Sequence, residues 1–203
     1  MTDQQRPDDL APRTAHAVDL AALHDELVAR AERADLLDVA YRTVDGPLGE
    51  VLLAATPRGL VRVAFAVQDH DAVLADLAAR VSPRVLAAPA RLDEAARQLD
   101  AYLEGRRRDF DLALDLQLAH GFRRTVVERL TTIAYGTTAS YGQVAAAAGH
   151  PRAVRAVGTA CARNPLPLVL PCHRVVRADG SPGRYAGGED AKLRLLALER
   201  APR

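Results

Sequence analysis

Residues Pro165 to Val176 read PLPLVLPCHRVV, an apolar run broken by three prolines that ends in Cys172, His173 and Arg174. A free thiol titrates near 8.5, so only a few per cent of it is thiolate at neutral pH, and the thiolate is the nucleophile. A cationic histidine or arginine alongside lowers that pKa, which makes this triplet a candidate activated sulfur. The opposing reading is that a cysteine closing an apolar run is a small buried hydrophobe. That reading suits Cys161, which falls on the apolar face of a predicted helix. For Cys172 the polar flank and the proline-stiffened approach favour chemistry. Adjacent side chains point to opposite faces of a strand and do not meet on a helix. A Cys172–His173 relay therefore needs either a bend at Pro171 or a bridging water. An acid is expected to orient His173, and the residues alone do not choose it among the glutamates. No other Cys or His stands at ligand spacing, so no metal is expected.

The elements that must position this triplet precede it. Phe122 to Ile133 reads as a helix ended by Tyr135-Gly136. The segment SYGQVAAAAGHPRAVRAVGTACARN then reads as two helices joined by a tight turn. Ser140 and Gln143 form a capping box, Gly149 closes the first helix, and Pro151 sits in the first turn of the second. This is helix-turn-helix spacing. On the second helix Val154, Val157 and Cys161 share one face. Arg152, Arg155, Thr159 and Arg163 fall near the other, without an acid to pair with. Gly188 to Arg200 forms the last helix, with Leu193, Leu196 and Leu198 supplying apolar contacts.

The first half reads differently. An amphipathic helix spans Val18 to Leu37, with Leu20, Leu23, Leu27 and Ala31 at helical spacing and no partner evident. Three short β runs follow, VAYRTV, GEVLLAAT and LVRVAF, separated by Asp45-Gly46-Pro47 and by Thr56 to Gly59. In the third, Val61, Val63 and Phe65 share a face and Arg62 points to the other. Helices over Asp69–Arg80 and Pro89–Leu103 come next, then a linker, GRRRDFDLALDL. The fold class is α+β: a small sheet-and-helix domain, then a mainly helical domain with a helix-turn-helix. The divisions are an extension over 1–38, an N-terminal domain over 39–116 and a C-terminal domain over 117–203.

A net charge of +1 over 203 residues hides an asymmetry. Residues 1–105 balance at −7 and residues 106–203 at +8. Six arginines face one acid, Asp179, between Gly136 and Arg184. A polyanion partner for the basic half is one reading, and docking on the acidic half is the other. No apolar run approaches the roughly 20 residues that span a bilayer. The polar N-terminus MTDQQRPDDLAPRTAH resembles neither a secretion signal nor a lipid anchor, and residues 1–16 read as disordered. Two cysteines make no disulfide framework, so a reducing cytoplasm is expected.

NPLPLVLPCHRVV, preceded by YGQVAAAAGHPRAVRAVG and followed by GRYAGG and a lysine, closely resembles the O6-alkylguanine-DNA alkyltransferases, or methylated-DNA–protein-cysteine methyltransferases. The strong match runs from Gly121 to Glu199, and YRTVDGPLGEVLLAAT is similar to the start of the family's N-terminal domain. The resemblance implies direct-reversal repair. Duplex DNA is bound in the minor groove, the damaged guanine is flipped out, and its O6-methyl or small O6-alkyl group moves to the protein's own cysteine. O4 of thymine is left open as a second site of attack. By position, Cys172 is the acceptor, His173 its water-linked base, and Glu199 the acid that orients it. Tyr141 lies by the flipped base and helps protonate the leaving guanine. Arg155 fills the gap in the base stack. Asn164 holds the turn that shapes the site, and Tyr185 belongs to the loop that closes over the base. Ala186 stands where some members carry serine. Arg152, Thr159, Arg163 and Arg174 are expected on the DNA or substrate surface. One turnover per molecule, no cofactor, no membrane and a monomer are implied. The zinc ligands of some members are absent, since no cysteine precedes Cys161.

Three departures stand out: Arg184 in the SPGR before Tyr185, Ala186 in place of serine, and His150 in place of asparagine. Two rivals remain at this level. One is a DNA-binding regulator or lesion-recognising protein without repair activity, against which Cys172 itself argues. The other is a thiol hydrolase that turns over repeatedly and ignores DNA.

Overall fold

The computed structural model describes residues 19–201; the stretch 1–16, read as disordered, lies outside them. Helix α1 (Leu20–Arg33) starts at Asp19, whose carboxylate accepts from the Ala21 and Ala22 amides. It is shorter than its periodicity suggested, because Asp35 turns left-handed (φ 53°). Its leucine stripe faces outward. Leu20, Leu23 and Leu27 are 76%, 52% and 52% exposed, while Val28 and Ala31 are the residues that pack on the core. The helix is tied down by polar contacts: His24 Nε2 to the Ala87 carbonyl at 2.7 Å and Arg91 Nε to Glu32 at 3.0 Å.

Strands β1 (Val39–Val44), β2 (Val51–Thr56) and β3 (Gly59–Phe65) form an antiparallel meander. A short β4 (Val85–Ala87) adds parallel to β1, giving the order β3-β2-β1-β4. Helix α2 (His70–Arg80) makes that crossover, capped by the Asp69 carboxylate. The half-buried reading of β3 is corrected. The β2–β3 ladder pairs Ala54 with Arg62 and Ala55 with Leu60, so Val61 is an extra residue. Such a bulge breaks the two-residue alternation. Val61 therefore joins Leu52, Ala54 and Ala64 beneath Val73 and Leu77 of α2. Val63 and Phe65 instead join the main core on the other face, with α3 (Asp93–Leu103). Each such buried side chain contributes about 1.5–3 kcal/mol, so both faces of the sheet are anchored.

The linker after α3 is ordered by side chains that its composition did not single out. Gln98 clamps the Asp111 backbone from both sides, donating to its carbonyl and accepting from its amide. Leu60 and Leu114 then bridge, extending the sheet past β3. This approach constrains Gly59, whose φ is 137°, because a Cβ there would collide with the Ala113 carbonyl. Gly59→Ala is expected to cost at least about 2 kcal/mol, seen as a lower urea midpoint with an unchanged slope.

The C-terminal half comprises α4 (Gly121–Leu130), α5 (Tyr141–Ala147), α6 (Val154–Ala162) and α7 (Gly188–Arg200). Two-residue strands β5 (Ala139–Ser140) and β6 (Val175–Val176) pair in parallel, joining the start of α5 to the end of the cysteine turn. The Ser140–Gln143 capping box is reciprocal, at 3.1 and 2.7 Å. Gly149 is left-handed at φ 78°. Pro151 proves to lie in the turn, with α6 starting three residues later after an uncapped Ala153. Val154 is consequently at the helix tip and 41% exposed, while Val157 and Cys161 are buried as expected. On α7 the inward leucines are Leu195 and Leu196, whereas Leu193 is 47% exposed.

Candidate active site

Helix α6 ends at Ala162, and the chain turns through Arg163, Asn164 and Pro165. Asn164 is buried and holds this turn with its amide. Its Oδ1 accepts from the Leu166 amide at 3.0 Å; its Nδ2 donates to the Leu170 carbonyl at 2.7 Å and lies 3.2 Å from Cys172 Sγ. The turn is braced across the domain boundary by Val63 of β3, whose amide donates to the Pro165 carbonyl at 2.9 Å. Leu168 adopts φ 74°, a strained value for a branched side chain, inside this rigid frame. After Pro171 the backbone tightens into a 3-10 turn over Cys172–Arg174. That is the bend a Cys-His relay requires.

His173 is fully buried, and its Nε2 lies 2.8 Å from Glu199 Oε1 on α7. Glu199 also accepts from Arg174 Nε and Nη2, from the Gly136 amide at 3.0 Å and from the Tyr102 hydroxyl. Burial disfavours its charge, but the hydrogen bonds from His173 and Arg174 outweigh that and hold its pKa at about 2. Glu199 is thus a carboxylate, an acceptor only, so the proton of neutral His173 sits on Nε2. Burial lowers the His173 pKa, and the Glu199 hydrogen bond offsets this only in part. Nδ1 then carries the lone pair, and it is buried with no hydrogen-bond partner among the described residues. The ring is a neutral, oriented base with a free basic nitrogen.

The sulfur itself departs from expectation. Cys172 is 2% exposed, and burial pushes its thiol up to about 11, against smaller opposing effects from Asn164 and Lys192. The neighbouring histidine and arginine do not acidify it, because both are committed to Glu199. The resting residue is a protonated thiol. Arg174 needs a second correction. It is 7% exposed, paired with Glu199 and bonded through Nη1 to the Ile133 carbonyl at 2.6 Å. It therefore has no surface to offer DNA and instead neutralises the buried acid.

Tyr141, the first residue of α5, is half-buried, and burial raises its phenol pKa, so it stays protonated. Its hydroxyl lies against Gly183, where any Cβ would collide with it. Tyr185 stacks edge-on against Phe65 of β3 at 5.5 Å and against His173 at 6.1 Å. Its hydroxyl is buried without a hydrogen-bond partner among the described residues. Ala186 packs beside it on the core. Gly183, Arg184 and Tyr185 wall a cavity of about 320 Å³, and the Cys172 sulfur is not among its walls. Arg152, Arg155, Thr159 and Arg163 are all exposed on or beside α6.

Two residues of the site were given no role by the sequence. Tyr102 of α3 is completely buried, donates to Glu199, and its oxygen lies 3.2 Å from His173 Nε2. Nothing in its local sequence marks it. Lys192, also 0% exposed, donates from Nζ to the Val175 carbonyl at 2.5 Å. Its signal was available, since it is the chain's one lysine among 27 basic residues. No group of three metal-binding side chains occurs among the described residues, and no described helix is long and apolar enough to cross a membrane.

Residues 121–201 match the sequence model of the 6-O-methylguanine DNA methyltransferase DNA binding domain, and residues 39–116 match that family's ribonuclease-like domain. A methylated-DNA–protein-cysteine methyltransferase of Mycolicibacterium paratuberculosis is 41% identical, over 80% of this chain and 93% of its own length. The bifunctional transcriptional activator/DNA repair enzyme Ada of Escherichia coli is 40% identical over 80% of this chain, but over only 46% of its own length. Among solved structures, Mycobacterium tuberculosis O6-methylguanine methyltransferase is similar with a TM-score of 0.71 at 37% identity, covering 81% of this chain and 95% of the other. M. tuberculosis OGT in complex with DNA gives 0.69 at 36%, covering 79% and 92%. With both of its halves matched in order and full-length relatives well above 30% identity, the chain belongs to the 6-O-methylguanine DNA methyltransferase family.

Proposed function

We propose that this protein repairs DNA by direct reversal, moving a methyl or small alkyl group from O6 of guanine in a duplex to Cys172, once per molecule. The observation that carries this reading is the buried Glu199–His173 pair, whose Nδ1 has no hydrogen-bond partner among the described residues, in the same 3-10 turn as a thiol held by Asn164. Such an array can take up a thiol proton. Relatives named for this reaction, and a relative solved with DNA, support it.

A guanine in the duplex is out of reach, so it must rotate out at a cost of a few kcal/mol. Arg155, exposed on α6, fills the vacated stack from the minor groove, with Arg152, Thr159 and Arg163 beside the phosphates. The loop carrying Gly183 to Tyr185 lifts to admit the base, since the closed site leaves the sulfur almost without exposed surface. The Cys172 proton passes, through one water, to His173 Nδ1. Sulfur then attacks the alkyl carbon, a carbon–sulfur bond forms, and the carbon–O6 bond breaks. The electron pair goes to the guanine, which takes a proton from the Tyr141 hydroxyl, and the proton held on His173 returns through solvent to restore the phenol. The product is a thioether that nothing in the site reverses.

Two outcomes test these roles. Arg155→Ala weakens binding of an O6-methylguanine duplex but leaves reaction with free O6-methylguanine base near the wild-type rate, because the free base needs no flipping. The transfer rate also falls on acidification, as His173 becomes protonated. Its pKa is lowered by burial, so the midpoint lies below the ordinary 6.5 and the rate is flat above it. A rate rising steadily from pH 7 to 10 instead marks a thiol that ionises without His173.

A further inference from the structure

Arg62 is the polar residue of β3, and its side chain enters a cleft of about 440 Å³ between the two halves of the protein. Arg80 from the end of α2, Arg123 of α4 and Arg163 at the end of α6 line the same cleft, against one acid, Asp76. Asp76 is occupied by Arg80 at 3.0 Å, and Arg123 donates to the Leu118 carbonyl. Arg62 Nε is buried with no partner among the described residues. Burial lowers the Arg62 pKa, with the Asp76 carboxylate opposing and the Arg80 cation adding to the effect. A cation held this way is costly unless an anion joins it.

The position of the cleft identifies the anion. Arg155, Thr159 and Ala162 stand at i, i+4 and i+7 on α6 and so share one face. Ala162 and Arg163 are also walls of the cleft. At 1.5 Å per residue the cleft begins roughly 10 Å along the helix from Arg155. That is a span of about three nucleotides, at 3.4 Å of axis per phosphate on one strand. The Val63–Pro165 hydrogen bond fixes β3 against the end of α6, so the N-terminal guanidinium is held in line with the helix. Resting on the DNA-repair reading above, we propose that this cleft binds a backbone phosphate of the same duplex, making the N-terminal domain a participant in DNA binding through Arg62 and Arg80.

The test measures affinity of the full chain for an unmodified duplex between 50 and 200 mM NaCl, for wild type, the Arg62→Gln/Arg80→Gln double variant and Asp76→Asn. Losing one phosphate contact lowers the slope of log affinity against log salt by about 0.9. The double variant's deficit is therefore about 3.5-fold larger at 50 than at 200 mM. Asp76→Asn, which removes the competing acid, binds more tightly than wild type at low salt, an effect that misfolding does not mimic. A double variant with the wild-type slope, or an Asp76→Asn protein no tighter than wild type, overturns the assignment while leaving the repair function intact. Inorganic phosphate raising the melting temperature of wild type but not of the double variant, with identical duplex slopes, overturns it in favour of a free anion. A wild-type protein that binds no duplex at any salt removes the repair reading as well.

Discussion

Cys172→Ala is expected to reduce alkyl transfer from an O6-methylguanine duplex below detection while leaving the fold and duplex binding in place. The fold survives because little is removed. Asn164 Nδ2 keeps its 2.7 Å bond to the Leu170 carbonyl when the sulfur is gone, and Oδ1 still accepts from Leu166. Binding survives because Arg152, Arg155 and Arg163, on or beside α6, are exposed whereas the thiol is buried. Transfer does not, because no second nucleophile can substitute. Cys161 is 4% exposed on the inner face of α6, and burial holds its thiol protonated well above the ordinary range. Gel retardation with the damaged duplex, beside a transfer assay, separates the two properties. Loss of both together indicates that the sulfur supports structure rather than chemistry.

Glu199→Gln has the second largest expected effect, on stability and rate together. The carboxylate meets Arg174, His173, Tyr102 and the Gly136 amide, and an amide cannot accept from all of them. Arg174, 7% exposed, is left as a buried cation without its counter-charge. Breaking one partner of such a pair costs about 3 kcal/mol or more, roughly 10 °C in melting temperature for a chain of this size. This loss depends on pH in a fixed sense. Glu199 has a folded pKa of about 2 against an ordinary 4.5. Its contribution is therefore complete above 4.5 and vanishes as pH falls through 2. Wild type and variant should converge in stability on acidification. The rate effect is separate. Glu199 raises the His173 pKa and fixes the proton on Nε2, so its loss makes Nδ1 a weaker and misoriented base. A slowing on the order of a hundredfold or more is expected, with the acid limb of the rate profile moved to lower pH. A variant that is unstable but reacts at the wild-type rate limits Glu199 to a structural part.

The strands, the capping box and the terminal helix were legible because local patterning and packing agree there. The three β runs, Ser140 with Gln143, and the span Gly188 to Arg200 all lie where periodicity put them. Failures came where tertiary context decides. The Val61 bulge shifted one strand's facing, and no single-strand pattern reveals a residue that its partner skips. The leucines of α1 face outward because polar contacts from His24 and Glu32, not the apolar stripe, dock the helix. At the site, Cys172 and His173 stood out as one contiguous pair, Asn164 and Tyr141 were named only through the family resemblance, and the burial of the thiol was not legible. Arg174 looked like a free cation beside a thiol, but the carboxylate that captures it is 25 residues away. Tyr102 is further still, 97 residues from Glu199, so only the docking of the first domain on the second brings it in.

The central claim is that the Cys172 sulfur becomes the permanent home of the alkyl group. The most direct measurement is the mass of the peptide bearing Cys172 after incubation with a duplex containing one O6-methylguanine. One added methyl on that peptide is predicted, saturating at one per protein, with unmodified guanine recovered in the DNA. Repaired DNA with an unchanged Cys172 peptide, or continued turnover beyond one equivalent, contradicts it.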